Sequence, residues 1–150
     1  TVVAPFFEAN TPATKQNPIF MYYTDNFLKP YPSDPTIVVG IDEVADKKWN
    51  CISAMPSQFG DAGSWQASTL PNVPQDEQGR KEYLLNIFKK SNEDVAAKYR
   101  GRLIELYGKE KGGKIKYAEA FELCQYGRQP SMEDLQKLFL LEPVKTRTQK

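Results

Sequence analysis

Glu119 sits in KIKYAEAFEL (114–123), where strand alternation places it on the same face as Ile115, Tyr117, Phe121 and Leu123. A carboxylate among apolar side chains must be paired or must border a pocket. The alternatives are therefore a site residue and a rim residue on an edge strand. Other carboxylates are scattered at Asp25, Asp34, Asp42, Glu43 and Glu122. None is spaced to face a second one across a cleft about 5 Å wide, as retaining glycoside hydrolysis requires. GKEKGGKI (108–115) approaches a phosphate-binding loop, but Ile115 stands where Ser or Thr would hold magnesium. Its context, helix then strand, is also the reverse of that loop's, so it reads as a solvated turn.

The 150 residues contain no histidine. That removes the commonest metal ligand and general base, and with them any Ser-His-Asp triad. Cys51 has no histidine to activate it as a nucleophile. With Cys124 it makes two cysteines, too few for a disulfide framework. Two buried thiols in a reducing, cytoplasmic setting are expected. The net charge of +1 gives no reason to expect nucleic acid or an anionic membrane as partner. TIVVGI and the other apolar runs are far short of the ~20 residues of a membrane span. Tyr22, Tyr23, Phe27 and Tyr31 read as core aromatics, and Lys145, Arg147 and Lys150 as a solvated tail. TVVAPFFEAN lacks the pattern of a signal peptide, and Thr1 reads as a cut or processed start.

These residues need elements to hold them. Residues 1–18 read as loop. PIFMYY (18–23) and TIVVGI (36–41) read as buried strands, the second apolar on both faces as in a parallel sheet. Between them Pro30, Pro32 and Pro35 forbid regular structure. Asp42 is the expected cap of a helix whose stripe is Val44, Lys48, Trp49, Ile52 and Met55. Pro56 ends that helix. Residues 57–79 form a long irregular stretch whose Phe59, Trp65 and Leu70 favour an ordered, functional loop. Helical periodicity returns from Arg80 to Tyr107, restarting at Ser91 and stopping at Gly108. KEKGG reads as a flexible turn, and SMEDLQKLFLL as a short helix opened by Ser131 with Asp134 in a capping box. Residues 144–150 read as a frayed tail. The order suits a single α/β unit over 1–150, one flank of a sheet whose apolar strands expect further neighbours.

Three segments in this order carry a resemblance: IVVGID (37–42), AMPSQ (54–58) and YAEAF (117–121). Together they resemble the C-terminal part of the PIG-L/LmbE family of N-acetylglucosaminyl de-N-acetylases, over roughly residues 5–130. The resemblance implies an incomplete Rossmann-like, LmbE-like sheet with flanking helices. It implies a zinc-dependent hydrolysis of an N-acetylated amino sugar. The family's metal motifs, Ala-His-Pro-Asp-Asp and a later His-x-x-His, do not occur here, and Met55 stands where the family often has histidine. The resemblance therefore implies that zinc and the catalytic groups belong to an upstream half. This chain contributes the pocket wall, with Ser57, Gln58, Trp65, Tyr117 and Glu119 as candidate substrate-pocket residues. The partners implied are the sugar substrate and that upstream half. The alternative is a non-catalytic module that pairs with another chain, or with its own copy, through an exposed sheet edge.

Overall fold

The computed structural model describes residues 15–23, 31–59, 63–139 and 141. The expected loop over 1–14, the prolyl turn at Pro30 and the tail 144–150 lie outside them. The chain is mixed α/β. Three strands are described: β1 (Ile19–Tyr23), β2 (Ile37–Gly40) and β3 (Ala118–Gly127), in the order β1-β3-β2. Six helices accompany them: α1 (Ala45–Ser53), α2 (Pro56–Phe59), α3 (Trp65–Thr69), α4 (Glu77–Lys98), α5 (Arg100–Lys114) and α6 (Met132–Leu138). None of the described helices is long and apolar enough to cross a membrane. The chain divides into two compact units, one of residues 1–38 with 120–150 and one of residues 39–119.

In the first unit β1 and β3 run antiparallel, with Tyr23 opposite Phe121, Tyr22 opposite Glu122 and Met21 opposite Leu123. Leu123 donates its N–H to Thr36 Oγ1 at 2.9 Å. The strands are thus antiparallel, where double-faced apolar runs suit a parallel sheet. Ile37 and Val38 are both fully buried, so β2 is covered on both faces. Such burial reports coverage and carries no information about strand direction. β1 is an outer strand, and that position leaves Phe20 48% and Tyr23 54% exposed, against the expectation of a buried strand. Ser131 accepts from the Asp134 N–H, and Asp134 accepts from the Ser131 N–H, so the expected capping box opens α6. Leu135, Cys124, Ala120 and Leu141 are also buried, among the described residues of this unit.

In the second unit Trp49, Ala45, Leu84, Ala96, Leu103, Leu106, Ile115 and Ala118 are buried. α1 packs against α2 and α4, α2 against α3, and α4 against α5. α1 starts at Ala45 without a side-chain cap, so Asp42 does not cap it. Pro56 does not simply terminate a helix but opens α2, where the missing N–H costs nothing. The 57–79 stretch holds α3, whose start is fixed by the buried Ser64: its Oγ accepts from the Ala67 N–H at 3.2 Å. α4 is continuous through Ser91 and breaks at Tyr99 instead. Gly108 interrupts α5 with φ 81°, as the expected stop, but helix resumes to Lys114 where a flexible turn is expected. Arg100 explains this, donating from Nη1 to the carbonyls of Gly112 at 2.8 Å and Ile115 at 2.6 Å. Cys51 is exposed and Cys124 buried, both as free thiols, so only one of the two buried thiols expected is found.

Candidate functional site

A polar cluster lies within the second unit, where α1, α4 and the start of β3 meet. Lys48 Nζ donates to Glu119 Oε1 at 2.5 Å and to Asn92 Oδ1 at 3.4 Å. The same Asn92 oxygen accepts from Trp49 Nε1 at 3.4 Å, and its Nδ2 donates to the Ala118 carbonyl at 3.1 Å. Asn92 is 3% exposed, so its carboxamide works in a setting where an unmet polar atom is costly. Trp49 meets Tyr117 edge-on at 4.9 Å between ring centroids, and Lys89 Nζ lies 5.0 Å from the Trp49 ring.

A second set of bonds fixes the backbone entering β3. Asp42 Oδ1 accepts from the Tyr117 N–H at 2.7 Å, and both its oxygens accept from the Lys116 N–H at 3.0 and 3.1 Å. Ile41 N donates to the Tyr117 carbonyl at 2.9 Å. Gly40 N donates to the Tyr107 hydroxyl at 3.0 Å. Burial pushes the Tyr107 phenol above its ordinary pKa, with the Gly40 bond pulling the other way. Asp42 does the work expected of a cap, accepting orphan N–H groups, but for a distant segment. A Cβ at position 40 would fall 2.8 Å from Ile115 Cδ1, so the Ile115 side chain would have to shift to admit one.

Glu119 and Tyr117, both half-buried, are brought together in this cluster. Glu119 does not stand on the most buried face of its strand. Ala118, Ala120 and Cys124 do, so the inward set is the even one. The alternation of large residues points to the wrong face because the residues packed inward are small. Glu119 is paired, with Lys48. Ser57 and Gln58 sit on α2 and Trp65 opens α3, and all three are exposed. Phe59 ties that segment to α4 through an edge-on contact with Phe88 at 5.3 Å.

Sequence reasoning misses Asn92. Its only signal is an asparagine inside a helix near three apolar positions, and that pattern is also shared by solvated helix faces. Lys48 is legible only as the single polar break in the α1 stripe.

These residues are a carboxylate, an ammonium and a carboxamide held by aromatic edges. They can orient a neutral polar group or an ion of either sign at their rim. They do not make a zinc centre. Among the described residues no three His, Cys, Asp or Glu side chains are gathered to hold a metal ion. Comparison of the chain with protein-family models, with curated proteins and with solved structures finds no match.

Proposed function

We propose that this chain is the C-terminal portion of a PIG-L/LmbE-like deacetylase, an amide hydrolase acting on an N-acetylated amino sugar. The observation that carries the reading is the meeting of motif segments far apart in sequence. The end of IVVGID is bonded to the start of YAEAF through Ile41, Asp42, Lys116 and Tyr117. AMPSQ follows on the helix that leaves IVVGID, and that helix returns Lys48 to Glu119 of YAEAF. Most of the three short motifs thus falls on one structural unit, residues 39–119, with Ile37 and Val38 of the first motif and Ala120 and Phe121 of the last outside it. In this reading Tyr117 and Glu119 are a fixed wall, and Ser57, Gln58 and Trp65 an exposed rim. The metal ligands come from an upstream half, in a Rossmann-like sheet that β2 helps to extend.

The test is made on the protein isolated from its source. A polypeptide longer than these 150 residues, releasing acetate from an N-acetylglucosaminyl conjugate and losing that activity to a chelator, is the expected result. A native species of only these residues, or a longer one without that activity, overturns the reading.

A second reading is a non-catalytic module that pairs through a sheet edge. It is favoured by β1, an outer strand with the uncharged sequence IFMYY. Natural edge strands more often carry a charge or proline that discourages pairing.

A further inference from the structure

Between α3 and α4 the chain forms a half-open cleft of about 290 Å³ within the second unit, whose lining does not include the Lys48–Glu119 cluster. We infer that it is a binding site for a small uncharged ligand carrying hydroxyl or amide groups. The assignment does not depend on the deacetylase reading.

The walls explain the choice. Ala67, Leu70, Val73 and Pro74 give apolar atoms to the lining, and Asn72, Gln75 and Arg80 give polar groups. The exposed lining is mostly polar, which suits a ligand that offers hydroxyl or amide groups, and the volume lies just under the roughly 300–1,000 Å³ of small-molecule sites. The walls are held before any ligand arrives. The Tyr83 hydroxyl donates to the Pro71 carbonyl at 2.7 Å, and Arg80 Nη1 donates to the Gln75 carbonyl. Asp76 Oδ1 accepts from the Gly79 N–H at 2.7 Å. Asn72 stands in the left-handed region at φ 56°, which turns the chain around the cleft mouth.

Charge selects a neutral ligand. Arg80 is the cationic residue of the lining, and Asp76 lies one turn before it. Glu77 is paired with Lys81 at 2.6 Å. The charges of this segment cancel, which leaves no net field to hold an anion. Carboxamides at Asn72 and Gln75 offer both donors and acceptors, matching hydroxyl and amide groups.

The test follows backbone amide shifts of the whole 150-residue chain during titration. The neutral probes are glucose and N-acetylglucosamine, and the charged ones are glucosamine and inorganic phosphate. Both neutral probes are expected to saturate shifts confined to residues 67–80, with a Kd on the order of 1 mM for ligands of this size. Asn72→Gly keeps the left-handed turn and removes the carboxamide, and should weaken binding about tenfold. Ala67→Leu narrows the cleft and should weaken binding about tenfold or more while amides outside the segment keep their positions. Absence of saturation by the neutral probes overturns the site. So does tighter binding of phosphate at the same amides, or wild-type binding by both variants.

Discussion

Lys48 and Glu119 stand 71 positions apart in the chain and meet at 2.5 Å, ammonium to carboxylate. Their side chains are 27% and 21% exposed, between the surface and the interior. Exposed pairs contribute about 0.2–1 kcal/mol, and breaking buried ones costs about 3–5 kcal/mol. Removing either charge, by Lys48→Met or Glu119→Gln, should therefore cost roughly 1–2 kcal/mol. The double variant should cost less than the sum, because neither leaves the other charge stranded. Urea denaturation of the four proteins measures the coupling. Additive losses would mean the two groups do not act as a pair.

Asn92 is the hub behind that pair. Asn92→Ala leaves the Ala118 carbonyl and the Trp49 N–H without their buried partner. A loss of about 2–3 kcal/mol is expected, from one unmet buried polar group or two. Asn92→Asp keeps an acceptor for Trp49 and Lys48 but cannot donate to Ala118. Amide exchange near Ala118 should quicken in both variants, and unchanged protection there would remove Asn92 from this role.

What was legible in the sequence divides along physical lines. Strong local signals held: Ser131 and Asp134 form their capping box, and IFMYY and IVVG are strands. Signals that fix one atom type but leave the partner open gave half an answer. Asp42 is an acceptor for backbone N–H groups, but those of Lys116 and Tyr117, 74 and 75 residues away, instead of its own helix. Glu119 is paired, yet nothing local names Lys48. Strand direction and the inward face of β3 were misread because burial pattern alone specifies neither, and small residues such as Ala118 and Ala120 carry little hydrophobic signal. Ser57, Gln58 and Trp65 are exposed, and no contact pattern in the sequence ties them to Tyr117.

Asp42 offers its own test. Asp42→Ala removes the acceptor for two backbone donors at the entry to β3. Asp42→Asn retains one oxygen. Hydrogen exchange at the Lys116 and Tyr117 amides should speed up in the alanine variant and only partly in the asparagine variant. Equal exchange in all three proteins would show that these N–H groups are satisfied elsewhere.

The cap of α6 makes stability depend on pH. Hydrogen bonds from the Ser131 backbone and hydroxyl, the largest influence, hold the Asp134 carboxyl below its ordinary value. A carboxyl depressed in the folded state stabilises it above the ordinary aspartate pKa of about 3.9. That contribution is lost as pH falls through the folded value. Start-of-helix amides from Ser131 to Asp134 should therefore lose protection below about pH 4. Ser131→Ala should raise the Asp134 midpoint toward the ordinary value and cost about 1 kcal/mol of cap stability. An unmoved midpoint in that variant would dissociate Asp134 from the cap.

Neighbouring glycines give the sharpest contrast. A Cβ at Gly112 would fall 2.3 Å from the Leu103 carbonyl oxygen and 2.7 Å from Ile104 Cα, both backbone atoms that cannot yield cheaply. At Gly113 nothing lies within 4 Å. Both positions belong to the helical stretch after Gly108. Alanine at an open helical site is favoured over glycine by about 0.5–1 kcal/mol. Gly113→Ala should therefore match or exceed wild-type stability. Gly112→Ala should lose roughly 1–3 kcal/mol, the range of an overpacked core. It should also weaken the clamp from Arg100 onto the carbonyls of residues 112 and 115. Thermal melts of the two variants decide it: a stable Gly112→Ala would mean the two helical segments do not pack this closely, and a damaged Gly113→Ala would mean this stretch is not helical.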